Sequence, residues 1–258
     1  GCAMLWLSRL LLVLLCWLVT APAWAWTYVG VSTLDASSDT ASGTSITVNV
    51  PSGTANNDIM FCVVKYPNTE TLTAPGGWTL PANGSYNDTT ASNTIMRVYY
   101  RLAASEPASY NWTIGAAGRF GGSCYTFRGD FNTTTPFDVD SSTSYTTSDT
   151  TTRASLTTSA ANEPLIWFSV GHDPSSVTTT PPTVPTTFTE HTDEHNTGSR
   201  FWRSVASVLW TGSGATGNMD GTLSGTKATV KHAFAIALQP AAAGATVNFF
   251  SRRLQVSP

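Results

Sequence analysis

The chain runs through one strand programme twice, which restricts it to architectures in which two similar sheets cover each other. Asn57-Asp58-Ile59-Met60-Phe61-Cys62-Val63-Val64 is matched by Asn162-Glu163-Pro164-Leu165-Ile166-Trp167-Phe168-Ser169-Val170. Gly77-Trp78-Thr79-Leu80 is echoed by Thr187-Phe188-Thr189-Glu190, and the run 95–102 by 201–209. Trp112-Thr113-Ile114 with Cys124-Tyr125-Thr126-Phe127 is echoed by Thr222-Leu223-Ser224 with Phe234-Ala235-Ile236-Ala237. The offset stays at about 105–111 residues, so the order of elements repeats although few residues are identical. Read alone, each half is a short open sheet with an uncovered apolar face. Two halves laid face to face make one antiparallel β-sandwich with one core.

The runs between Gly and Pro are short and rich in Val, Ile, Thr, Phe, Tyr and Trp, the pattern of many strands in a two-sheet all-β fold. Strands are expected at 27–33, 45–50, 58–65, 94–102, 109–114, 122–128, 153–158, 164–171, 186–191, 200–210, 220–224 and 229–238. In 94–102 the alternation predicts Met96, Val98, Tyr100 and Leu102 on the core face, with Ile95, Arg97, Tyr99 and Arg101 opposite. A single domain is expected over 26–240, with halves at about 26–131 and 153–240. The Thr/Ser-rich segment 132–152 reads as a surface crossover, and 241–258 as a linker and tail.

Residues 1–25 read as a signal peptide. Arg9 precedes the apolar run Leu10 to Val19, and Ala23-Trp24-Ala25 is an A-x-A cleavage site. The apolar run is shorter than the roughly 20 residues that span a bilayer. The expected location is therefore extracellular or periplasmic. Charged residues make up 11% of the chain, with a net charge of −3, against about 25% charged in ordinary domains. That surface lacks the basic stripe a nucleic-acid binder needs. It suits a neutral glycan, a cell-surface partner or self-association. Cys62 and Cys124 both fall in expected core strands, and in an oxidising compartment they are a disulfide candidate. The alternative is a pair of buried thiols acting as small apolar side chains.

The chain resembles a jelly-roll domain that recurs in phage tail or virion-surface proteins and in secreted bacterial proteins. The likeness covers roughly 45–240. It is carried by Gly77-Trp78-Thr79-Leu80, Tyr99-Tyr100-Arg101-Leu102-Ala103, Glu106-Pro107-Ala108-Ser109-Tyr110-Asn111-Trp112-Thr113, Gly121-Gly122-Ser123, Tyr125-Thr126-Phe127-Arg128-Gly129 and Pro136-Phe137-Asp138-Val139. Gly214-Ala215-Thr216-Gly217 and Ala235-Ile236-Ala237-Leu238-Gln239-Pro240 continue it in the second half. The resemblance implies a jelly roll of two pseudo-repeated halves and a non-catalytic surface or adhesion role. The signal peptide departs from the phage versions and favours an exported bacterial protein.

Chemistry-bearing residues are sparse. His191-Thr192-Asp193-Glu194-His195 is the densest polar cluster; by period two, His191, Asp193 and His195 share one strand face, where a metal ion is one reading and a solvated strand end the other. Asp138 and Asp140 could offer oxygens to a structural Ca²⁺, although such a site wants six or more. Glu190 and Glu194 are the best-placed pair for glycoside chemistry, with Glu163 and Asp193 as further options. No nucleophile elbow, phosphate loop or dinucleotide fingerprint is present, so no catalytic residue is assigned and no cofactor is expected. Trp78, Tyr86 and Trp202, if exposed, would stack on sugar rings; otherwise they plug the sandwich ends. The expected function is a secreted, non-enzymatic binding or adhesion module, lectin-like for neutral glycans. The alternatives are a self-assembling surface protein and a polysaccharide-active hydrolase or lyase.

Overall fold

The computed structural model describes residues 26–33, 38–89, 92–145, 150–153, 155–173, 177–225 and 230–241. The expected leader over 1–25 and the tail beyond 241 lie outside them. Among the described residues every regular element is a strand, and every strand pairing is antiparallel.

The first sheet is built from β1 (Trp26–Val31), β2 (Asp39–Asn49), β3 (Ile59–Pro67), β4 (Leu72–Thr73), β5 (Ser85–Asp88), β6 (Thr94–Leu102) and β7 (Ser109–Gly129). Its main order is β5-β6-β3-β7-β1, with β2 and β4 also pairing to β7. The later strands are β8 (Phe137–Tyr145), β9 (Thr150–Arg153), β10 (Thr157–Thr158), β11 (Glu163–His172), β12 (Val177–Thr180), β13 (Thr189–Asn196), β14 (Phe201–Trp210), β15 (Gly214–Ala215), β16 (Met219–Gly225) and β17 (Val230–Leu238). They make a five-stranded sheet β13-β14-β11-β17-β8, a three-stranded sheet β12-β16-β9 and the small pair β10-β15.

The seven-stranded and five-stranded sheets pack face to face, as a β-sandwich requires. Ile59, Phe61 and Val63 of β3 share one buried cluster with Ile166, Phe168 and Val170 of β11. Their odd-even neighbours point the other way. Met60, Cys62 and Val64 join Ile46, Val48, Trp112 and Ile114 in a second cluster on the outer side of the first sheet. Leu165 and Trp167 join Leu156, Phe188 and Met219 in a third, outside the second sheet. Period-two alternation therefore feeds two cores from each central strand, which is why these strands read as unbroken apolar runs.

This corrects the expectation of one core. Neither half leaves an open outer face: β2, β4 and the start of β7 cover the first sheet, and Leu156, Phe188, Val177 and residues of β16 cover the second. It also corrects the assignment for β6: Ile95 and Tyr99 are buried at 8% and 6% exposure on the face expected to be polar. Strands expected at 109–114 and 122–128 are one strand, β7, whose first part pairs with β2 and β4 and whose second part pairs with β1 and β3. Within the expected crossover, 137–145 forms β8, the edge strand beside β17. Its sequence carries too few apolar residues to announce a strand, and the ladder to β17 supplies what propensity does not.

Candidate functional site

Charged side chains inside apolar strands mark where the two halves meet. Arg203 lies in Phe201-Trp202-Arg203-Ser204-Val205 and Lys65 in Val63-Val64-Lys65-Tyr66. Both are essentially inaccessible to solvent. Arg203 donates from Nη2 to Asp39 Oδ2 at 2.8 Å and from Nη1 to Asp39 Oδ1 at 3.3 Å, with neither side chain exposed. Its Nε donates to Glu194 Oε2 at 3.1 Å. Ser123 Oγ and Tyr125 OH donate to the same Glu194 oxygen from β7. Ser199 Oγ donates to Asp39 Oδ1 at 2.7 Å, and Lys65 Nζ donates to the Ser199 carbonyl. Arg119 Nη1 reaches the Gly198 carbonyl at 2.6 Å.

These groups form a continuous ionic joint, with Asp39, Lys65, Arg119, Ser123 and Tyr125 from one half and Glu194, Ser199 and Arg203 from the other. Burial opposes the charge on Arg203, but Asp39 more than offsets it and holds the guanidinium pKa above its usual value. Burial pushes Lys65 down to about 7, reinforced by Arg119. Gly121 makes room for the joint: a Cβ there would overlap the Asp39 carboxylate and sit 3.1 Å from Phe201. Asp39, Glu194, Ser199 and Arg203 each bond to other protein groups within the joint. Its chemistry is to fix register and hold two sheets together.

The residues singled out in the sequence fare differently. Trp78 is 8% exposed and packs on Tyr110 and Trp112. Trp202 is fully buried beside Val177 and Leu223. Tyr86 stacks on His232 at 5.4 Å, against the opposite sheet. The outer strands thus cover Trp78 and Trp202, while Tyr86 is half-buried against the sandwich interior.

The expected shared face of His191, Asp193 and His195 is broken by a register shift between Glu190 and Thr192 in β13. A bulge adds one residue and flips the alternation after it. His191 turns inward, stacking on Tyr28 at 4.1 Å and sharing a 2.7 Å hydrogen bond with Ser207 Oγ. Asp193 instead accepts from the Thr179 N–H, and His195 Nε2 lies 3.1 Å from the Asp173 carbonyl. The same shift separates Glu190, which accepts from Ser204 Oγ, from Glu194 in the joint. They do not flank one cleft. Asp138 is held by Ser159 and Asp140 by Asn83, so the expected Ca²⁺ ligands are drawn to different partners. Among the described residues no group of three or more His, Cys, Asp or Glu is placed to hold a metal ion. Cys62 and Cys124 are both buried free thiols on paired strands.

One carboxylate pairing has a pH signature. Asp58 precedes and Glu163 opens a buried strand, and each accepts the backbone N–H three residues upstream, from Ala55 and Ala160 at 2.8 Å. Asp58 meets Arg128 at 2.8 Å. Glu163 meets Asp138 instead, and burial with that like charge raises its pKa to about 7. Glu163 Oε2 is buried with no hydrogen-bond donor facing it. The folded protein therefore binds a proton that the unfolded chain releases above its ordinary carboxyl pKa. This stabilisation is complete below the unfolded value and is lost as pH rises through about 7. Glu163→Gln supplies an amide donor in place of the shared proton. The variant is expected to gain about 1–2 kcal/mol on the parent between pH 5 and pH 8. Urea unfolding at both pH values checks this; parallel pH dependence in the two proteins would refute it.

No protein-family model matches this chain, and no curated protein matches it.

Proposed function

We propose that the chain is an exported, non-enzymatic binding or adhesion module built from two jelly-roll-like halves. The commitment of its carboxylates carries the reading. Glu106 is tied to Arg101, Tyr110 and the Ala104 N–H, Glu70 to the Ala116 N–H, and Asp58 to Arg128. Asp39 and Glu194 are spent in the joint, while Glu190, Asp193, Asp138 and Asp140 each bind a local donor. A hydrolase or lyase needs two carboxyl groups converging on a substrate, and Glu190 and Glu194, the pair best placed in the sequence, do not flank one cleft. Strand order supports the paired halves: β5-β6-β3-β7-β1 parallels β13-β14-β11-β17-β8, and β2-β7-β4 parallels β9-β16-β12. Asn57 and Asn162, equivalent in the sequence repeat, both take positive φ, at 69° and 62°.

The partner this surface fits is a neutral, hydrogen-bonding one, a glycan or a cell-surface protein, met by Thr, Ser and Asn rather than by aromatic stacking. Self-assembly is the weaker reading. Two of the edge strands discourage edge-to-edge pairing: β5 has four residues, and β13 carries a bulge and five ionisable side chains. Among the described residues Val184 is the large hydrophobic side chain left exposed, at 42%, so no apolar patch invites a second copy.

The test is binding of the purified protein to a broad glycan and polysaccharide array, with reducing-end release measured on every retained polymer. Retention without cleavage is the expected result. Cleavage abolished by Glu190→Gln or Glu194→Gln would overturn the non-enzymatic reading.

A further inference from the structure

We infer that Cys62 and Cys124 close a cross-strand disulfide when the chain folds in the presence of a disulfide oxidant. The inference follows from strand register and stands apart from the proposed binding role. Cys62 on β3 is directly opposite Cys124 on β7. The Cys124 N–H donates to Ser32 Oγ at 3.0 Å, and the Ser32 N–H donates to the Cys124 carbonyl at 2.8 Å. Both backbone groups of Cys124 therefore point away from β3. Toward β3 the residue must occupy a non-hydrogen-bonded position, the closer of the two pair types, with Cα atoms about 4.5 Å apart. Disulfides accept Cα separations of about 4.4–6.8 Å. Both side chains lie on the same outer face of the sheet, within the cluster that holds Ile46, Trp112 and Phe120. The two thiols are close enough to hydrogen-bond, and burial together with that contact pushes the Cys124 pKa up.

That environment sets the order of events. A buried thiol with a raised pKa yields little thiolate, and thiolate is the attacking species. The bond must form before β2 and the Trp112 segment close over it. One cysteine thiolate attacks the oxidant R–S–S–R, giving a mixed disulfide and releasing one RS⁻. The second cysteine thiolate then attacks the protein sulfur of that mixed disulfide and releases the second RS⁻. Both cysteines are oxidised, the oxidant is reduced to two thiols, and the two cysteine protons pass to solvent or to the leaving thiolates. Once folded, the same cover shields the bond from reductants. Placed between the central strands β3 and β7, it ties the longest strand of the first half to that half's core.

The experiment is refolding of the full chain from denaturant in a glutathione redox buffer, with oxidised glutathione as the oxidant. Alkylation under denaturing conditions and peptide mapping then separate this pair from Cys2 and Cys16. The expected product is a Cys62–Cys124 cross-linked peptide, two hydrogens lighter than its reduced parts. Its unfolding midpoint is expected to lie about 10 °C above that of the reduced protein, from the loop of roughly 60 residues the bond closes. In a Cys62→Ala, Cys124→Ala double variant the oxidant should give no such rise. Two outcomes would overturn the inference: both cysteines remain alkylatable after oxidative refolding, or the cross-linked protein melts at or below the reduced one.

Discussion

Asp39→Ala is expected to destabilise the protein by about 3–5 kcal/mol, because it leaves Arg203 charged, buried and short of its main partner. Arg203 and Asp39 are both fully shielded, and their two hydrogen bonds are the most completely buried ion pair among the described residues. Glu194 remains beside Arg203, but it is partly exposed and already accepts from Ser123 and Tyr125. Ser199 loses its acceptor as well, and through Ser199 the loss reaches Lys65. Asp39→Asn keeps an acceptor oxygen and removes the charge, so its cost should fall between zero and that of the alanine. Replacing Asp39 and Arg203 together by leucine and methionine should recover most of the loss, since the net worth of a buried pair is small compared with the cost of breaking it. Urea unfolding of the four proteins measures this. An alanine cost under about 1 kcal/mol would mean that water reaches Arg203, and the joint would lose its role in holding the sheets.

Much of the architecture was legible because apolar alternation and turn residues agree. Ile59 to Val64 and Leu165 to Val170 could only be central strands, and β6 begins and ends where the pattern placed it, at Thr94 and Leu102. The outer layers were not legible. Leu72–Thr73 and Thr157–Thr158 are two-residue strands, too short to carry a period. Leu72 of β4 packs in the cluster that buries Ile95, Tyr99 and Trp78, while Val177 of β12 and Leu223 of β16 cover Trp202. The candidate metal face failed on a single residue, since the bulge at His191 reverses every side chain that follows, and no propensity scale reports a bulge. The joint did leave a trace: Lys65 and Arg203 interrupt apolar strands, and a charge there demands a buried partner. What the sequence withheld was the partner's identity, because Asp39 is 164 residues away from Arg203.

Phe168→Ala is expected to cost about 3–5 kcal/mol, and it tests the packing of the two sheets directly. Phe168 points from the centre of β11 into the space between the sheets, where it has no accessible surface. Its ring lies 5.4 Å from Phe61 and 6.1 Å from Tyr125 on the first sheet, and 6.0 Å from Phe234 on its own. Truncation removes contacts to both halves at once and leaves a cavity that rigid strands on either side cannot close. Trp167, one residue earlier, faces the other way into the outer cluster. Large losses at both positions would therefore come from different cores. A double-mutant cycle separates them. Phe61 and Phe168 should couple by about 0.5–1.5 kcal/mol, because their rings touch across the interface. Phe61 and Trp167 should be additive, since the sheet lies between them. If Phe168→Ala costs less than about 1 kcal/mol, or if its effect adds to that of Phe61→Ala without coupling, the sheets do not bear on each other through this cluster. The ionic joint would then be the main attachment between the halves.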